Sequence, residues 1–215
     1  MKDYILFDLD GTIVNSEDGI YNAIKYSLKK FGIQVLDTST LKPFIGPPLS
    51  ESFNLYYGFT GVDLENSVKY YREYYSKTGL YEVSVYDGVE DLLFNLAKAG
   101  KKLVLATSKP EPFAKEVMRH VGLDKYFAYI FGASFDHSRA KKEQVIDYAL
   151  KTAKIDPVRA VMVGDRHHDI DGAKVNNLQS VGVLYGFGDL DELKNAKADY
   201  IVDTSVDLLN LLLKL

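Results

Sequence analysis

Cysteine is absent from the 215 residues, which excludes disulfide frameworks and thiolate metal centres. There is no excess of positive charge either. The formal net charge is −4 and the pI near 5.6, against the basic patch that a nucleic-acid polymer requires. Long apolar runs are missing too. The longest cluster, Leu208 to Leu213, contains Asn210 and falls far short of the roughly 20 residues that span a bilayer. The first apolar run begins by Tyr4, which leaves no room for a signal peptide. These absences lead to the expectation of a cytoplasmic chain with no membrane and no nucleic-acid partner, monomeric or weakly dimeric. The apolar fraction of 47% is ample for a packed core of one or two domains.

What is present begins at that first run. Tyr4-Ile5-Leu6-Phe7 leads into Asp8, Leu9, Asp10, Gly11 and Thr12. A short apolar run closed by a glycine turn reads as a buried parallel strand, and open α/β sheets bind ligands at the carboxyl ends of such strands. Alternation points Asp8 and Asp10 the same way, and Gly11 lets a ligand approach the backbone. A second apolar run, Ala160 to Gly164, ends in Asp165, with Asp169 four residues on and on the same face of any helix starting there. Carboxylates gathered at one sheet end repel unless a cation binds, and all-oxygen ligands favour Mg²⁺ over zinc. A third run, Leu103 to Ala106, ends in Thr107-Ser108, whose hydroxyls and amides could hold phosphate oxygens. A helix led by Lys141-Lys142 follows.

The rest of the chain organises around these strands. Ser16, followed by Glu17 and Asp18, is a plausible N-cap, and Ile20, Ala23, Ile24, Leu28 and Phe31 fall at helical spacing before Gly32. Up to about residue 83 only helical pieces are legible, including a face of Val68, Tyr71 and Tyr75 ending at Gly79. Pro43, Pro47 and Pro48 surround Gly46 in a segment unsuited to a helix interior. After Gly88 helix and strand alternate: helices over 89–99, 112–121 and from Lys142, strands over 103–106, 129–132, 160–165, 180–184 and 200–202, and a last helix from Val206. This alternation predicts an α/β fold, a doubly wound, Rossmann-like parallel-sheet core formed by 1–14 and 84–215. Residues 15–83 are expected to form an inserted all-helical cap domain over the active site. Most of the sixteen tyrosines lie in or beside this insertion, where they pack the bundle and coat its surface.

The ordered set resembles the haloacid dehalogenase superfamily of phosphohydrolases over essentially the whole chain. Asp8 to Thr12 resemble its first motif, Thr107-Ser108 the second, Lys142 the third, and Gly164-Asp165 through Asp169 the fourth. Ile45-Gly46-Pro47-Pro48-Leu49 and Ser138-Arg139 are similar to the phosphoglycolate phosphatase-like branch, which also contains 5′-nucleotidases. Asn15 departs from an acid common there, which bears on the cap hinge. The resemblance implies a Mg²⁺-dependent phosphatase of small phosphorylated metabolites, either phosphoglycolate-like or nucleoside monophosphates. It implies Asp8 as nucleophile and Asp10 as general acid and base. Mg²⁺ would lie on Asp8, the Asp10 carbonyl, Asp165 and Asp169, and the phosphoryl oxygens on Gly11, Thr107, Ser108 and Lys142. Lys142 is preferred to Lys141 for its spacing from Arg139 and Val145. The Gly46-Pro47 loop would dip toward the site and help choose the substrate.

Other residues receive simpler readings. His167 and His168 read as surface residues between two ligands, His120 and His137 as structural, and Arg166 as a surface charge. Lys109 is the best placed to touch a substrate anion, ahead of Arg72 and Arg139, because it directly follows the phosphate-binding pair. Two rival activities share these residues: a phosphosugar mutase, and a non-enzymatic phospho-receiver, against which Asp10 and the insertion argue. A dehalogenase needs neither Asp10 nor the metal site.

Overall fold

In the computed structural model, which describes residues 2–136 and 138–215, the early apolar run becomes the central strand β1 (Tyr4–Phe7). Two-residue strands β2 (Val14–Asn15) and β3 (Ser84–Val85) pair as a small ribbon where the chain leaves and re-enters the core. The main sheet adds β4 (Lys102–Pro110), β5 (Phe127–Ala133), β6 (Ala160–Gly164), β7 (Gln179–Val183) and β8 (Tyr200–Val202). Its order is β5-β4-β1-β6-β7-β8, all parallel. The chain steps outward from β1 to one side through β4 and β5, then to the other through β6, β7 and β8. The strand order therefore reverses beside β1, the point where open α/β sheets bind ligands.

Both faces of the central strands of this sheet are buried, as parallel strands require. Leu6, Val104 and Met162 join one apolar cluster with Val145, Ile146 and Ala149 of a later helix and Ala173 of another. Their strand neighbours Ile5, Phe7, Leu103, Leu105, Val161 and Val163 point the other way and are equally buried. The residues of 1–15 and 85–215 form one compact unit, and those of 16–84 a second.

The second unit is helical, with α1 (Glu17–Lys30), a 3₁₀ run (Thr38–Phe44), α2 (Leu49–Tyr57) and α3 (Gly61–Tyr74). Helix α3 widens into a π turn over Tyr75–Gly79, where Tyr71 and Tyr75 stack 5.3 Å apart. The interior of this unit joins aliphatic residues such as Ile24, Leu28 and Leu41 to an aromatic cluster: Phe53, fully buried, lies 5.3 Å from Phe44 and 6.1 Å from Phe59, which meets Phe31 at 4.5 Å. Tyr21, Tyr71 and Tyr75 are buried while Tyr56 and Tyr81 are exposed, so the tyrosines both pack and coat this unit. Ser16 stands at the N-cap of α1, as its position predicts, without a side-chain cap bond. One local expectation needs correction. Pro43 lies inside the 3₁₀ run, which Asp37 caps through the Ser39 amide, and only Pro47 and Pro48 lie in the link to α2.

The first unit supplies α4 (Val89–Lys98), α5 (Glu111–His120), α6 (Lys142–Ala153), α7 (His167–Val175), α8 (Leu190–Asn195) and α9 (Ser205–Leu212). Among the described residues, no helix is long and apolar enough to cross a membrane.

Candidate active site

Register aligns the chemistry. Phe7 pairs with Leu105 on one side and Val163 on the other, so Asp8 is level with Ala106 and Gly164. Thr107 and Asp165 each follow by one residue. Helix α6 then delivers Lys142 from its first turn, on the face of Val145, Ile146 and Ala149. Lys142 is buried with them, whereas Lys141 is exposed at the N-cap. The Lys142 ammonium lies 2.6 Å from Asp8 Oδ1 and 2.8 Å from Asp169 Oδ1, and donates to the Ala106 carbonyl at 3.2 Å.

Asp165 is fully buried. Its Oδ2 accepts from the Phe187 amide at 2.8 Å, and its Oδ1 lies 3.4 Å from Thr12 Oγ1. Gly11 has φ +85°, and a Cβ there would fall 2.1 Å from Asp165 Oδ2. Its amide already donates to the Val14 carbonyl, so it contributes close approach and not a donor for the phosphoryl group. Thr107 Oγ1 accepts from the Lys109 amide at 3.2 Å, which leaves its O–H to donate.

Asp8, Asp165 and Asp169 each offer a carboxylate oxygen, all within 4.8 Å of one another. Three buried or nearly buried acids face one ammonium, because the other local lysine, Lys109, is engaged by Asp10 at 2.6 and 2.8 Å. The Asp8 carboxyl is raised to about 6: burial is the largest cause, Asp169 and Asp10 add to it, and Lys142 opposes it. Burial also pushes Asp165 well above the usual carboxylate range, with the charges of Asp169 and Asp8 adding to it. Burial alone would lower Lys142, yet Asp169 and Asp8 together hold its ammonium above its ordinary range. Buried ions cost several kcal/mol each unless compensated. An all-oxygen donor set with excess negative charge fits a hard divalent cation, and Mg²⁺ suits a site of few carboxylates.

The structure revises the simpler readings. Arg166 is a half-buried partner of Glu192, with Nε 2.8 and 3.1 Å from its two oxygens, and not a surface charge. His167 and His168 are also partly buried: His167 Nδ1 lies 2.7 Å from Glu192 Oε1, and burial lowers the pKa of His168. Arg139 donates to the Gly132 carbonyl and lies 3.8 Å over the Tyr148 ring, which makes it a brace between β5 and α6. His120 is exposed at the end of α5, and His137 lies outside the described residues. Arg72, Gly46 and Pro47 belong to the helical unit. Sequence reasoning missed the segment after β7: Tyr185 donates to the Thr12 carbonyl at 3.1 Å, and Phe187 to Asp165. Its signal was Gly186-Phe187-Gly188 directly after an apolar strand.

Comparison with known proteins gives one family. A model described as haloacid dehalogenase-like hydrolase matches residues 5–183. A 5′-nucleotidase of Pseudomonas aeruginosa is 42% identical over 190 residues, covering 88% of this chain and 86% of that one. Tyrosine-protein kinase PtkA of Mycobacterium tuberculosis is 38% identical over 201 residues, covering 94% of this chain and 66% of the kinase. A crystal structure of a predicted phosphatase from Clostridium acetobutylicum superposes with a TM-score of 0.96 at 47% identity over the full length of both.

Proposed function

The chain belongs to the haloacid dehalogenase-like hydrolases, and from that premise and its site we propose a Mg²⁺-dependent phosphatase of small phosphorylated metabolites acting through an aspartyl phosphate on Asp8. The observation that carries the reading is Asp8 itself. Its carboxylate ends the central strand beside Lys142 at 2.6 Å, next to Asp165 and Asp169, with a second acid two residues on. Nucleoside 5′-monophosphates are the leading substrate class, on the strength of the 42% identical 5′-nucleotidase, and phosphoglycolate is the second.

Phosphoryl transfer needs positioning and charge stabilisation more than elaborate covalent steps. Thr107, Ser108 and Lys142 bind the phosphoryl oxygens and meet the charge that develops on them. An Asp8 oxygen attacks phosphorus as the bond to the leaving oxygen breaks, and Asp10 gives that oxygen its proton. Water then attacks the phosphoryl group, Asp10 takes the proton back, and the Asp8 carboxylate is regenerated with release of phosphate. Both Asp10 oxygens are held by Lys109 in the structure, so this proton traffic requires that pair to open. The side chains of Asp8, Asp165 and Asp169 with the Asp10 carbonyl would hold Mg²⁺, which supplies the charge that lets carboxylate and phosphate approach. The helical unit, with its Gly46-Pro47 turn, selects the leaving group.

A second reading is supported by the relative named as a tyrosine-protein kinase. In it the phosphoryl group on Asp8 passes to an acceptor hydroxyl and not to water, as it would in a mutase. One experiment separates the readings. Release of inorganic phosphate is scored as kcat/KM over nucleoside monophosphates, phosphoglycolate and sugar phosphates, with and without acceptor alcohols. Asp8→Asn should show neither turnover nor a covalent intermediate by intact-protein mass spectrometry. Asp10→Asn should lose roughly 100- to 10,000-fold in turnover and accumulate phosphoenzyme with a good leaving group. Turnover in Asp8→Asn would remove the mechanism, and product appearing only with an acceptor would favour transfer.

A further inference from the structure

Glu192 lies on α8, outside the carboxylate cluster, and no step above uses it. Its Oε1 accepts from the His167 amide at 2.9 Å and from Arg166 Nε at 2.8 Å, and lies 2.7 Å from His167 Nδ1. Arg166 and His167 are the residues that lead from Asp165 into the turn carrying Asp169. The Arg166 amide itself donates to Asp169 Oδ2 at 3.2 Å. The loop entering α8 reaches Asp165 from another side, through the Phe187 amide at 2.8 Å. It comes so close that a Cβ on Gly186 would lie 2.5 Å from the Asp165 Cβ and 2.2 Å from the Gly11 carbonyl oxygen.

We propose that Glu192, with the Gly186–Gly188 loop, is an outer clamp that fixes Asp165 and Asp169 for a divalent cation, Glu192 being its positioning residue. Two physical effects converge on it. The carboxylate pins the backbone at His167 and so sets where helix α7 begins, which sets the direction of both acids. It also occupies the Arg166 guanidinium, a cation one residue from Asp165 that would otherwise compete with a metal for the acid cluster. Outer-shell partners of this kind typically contribute 10- to 100-fold to metal affinity. The inference rests on the metal reading of the site, and its test keeps the two apart.

Mn²⁺ binding to the substrate-free protein is measured by electron paramagnetic resonance for wild type, Glu192→Gln and Glu192→Ala. The dissociation constant should rise about 10- to 100-fold in Glu192→Ala and less in Glu192→Gln, which keeps an acceptor for the His167 amide. The Mg²⁺ concentration giving half-maximal turnover should rise in parallel. Glu192→Gln preserves size and carries the test should the alanine variant not fold. Melting in chelator separates a mere brace, which would lower Tm and leave the Mn²⁺ affinity unchanged; that result would overturn the inference. If the wild type bound no Mn²⁺, the metal reading itself would fall, and the inference with it.

Discussion

The two units bury different kinds of polar side chain. In the sheet unit, described buried polar residues include Lys109, Lys142, Asp165 and Asp169, beside the nearly buried Asp8. In the helical unit they are Ser16, Ser27, Ser52 and Ser67. The serine hydroxyls that have partners use backbone carbonyls: Ser27 donates to the Ser67 carbonyl at 2.8 Å and Ser67 to the Leu64 carbonyl at 2.7 Å. A hydrogen-bonded hydroxyl is a modest burden on a fold, whereas a buried ion costs several kcal/mol. A chain tolerates clustered ions where their charge has work to do. The contrast places the clustered charge of the candidate site in the sheet unit.

The sharpest way to break that contrast is to remove its central cation. Lys142→Met keeps much of the stem but deletes the ammonium between Asp8 and Asp169. Turnover should fall by about 100-fold or more, as for other preorganised groups that meet transition-state charge. Lys141→Met, on the exposed N-cap, should stay near wild type. Steady-state rates with a small aryl phosphate check both, and a reversal of the two effects would move the anion site to the other lysine.

Those neighbouring lysines also show how far the sequence reached. Strands β1 and β6 were legible because each is an uninterrupted apolar run closed by Gly or Asp, and the helix–strand alternation gave the parallel sheet. The choice between Lys141 and Lys142 lies in helix phase: Lys142 shares a face with Val145, Ile146 and Ala149, a periodicity visible in the sequence. The Lys109–Asp10 pair was not visible, because its partners lie 99 residues apart and meet only through the pairing of β1 with β4. Glu192 was hidden for the same reason, 26 residues from Arg166. The stacking of Arg139 on Tyr148 is likewise not legible in the sequence, because it depends on how β5 and α6 pack.

A smaller effect should follow from the helical unit. If that unit chooses the leaving group, Pro47→Phe should reorder substrates by several-fold and barely change turnover of a small aryl phosphate. Gly46 is a poorer probe, because at φ +109° any side chain strains the backbone as well as filling space. Ratios of kcat/KM across the substrate panel measure the effect. A uniform loss for every substrate, the aryl phosphate included, would mean that the two units do not divide the work.

The smallest effect concerns acid stability and again contrasts the units. Glu192 is held down to about 2: burial opposes ionisation, but the His167 amide and ring and the Arg166 guanidinium together outweigh it. In the helical unit, Asp37 is also lowered, by the Ser39 hydroxyl and amide, but it is fully exposed. A depressed carboxylate pKa stabilises the fold above the unfolded value, 4.5 for Glu192, and that stabilisation is lost as pH falls toward about 2. The group is partly solvated, so screening holds the contribution to on the order of 1 kcal/mol. Glu192→Gln, which cannot ionise, should therefore lower Tm above pH 5 and converge on wild type near pH 2. Asp37→Asn should leave the acid limb almost unchanged. Thermal melts in chelator from pH 2 to 7 give both curves. Parallel curves for Glu192→Gln and wild type would show that its charge adds nothing to the fold.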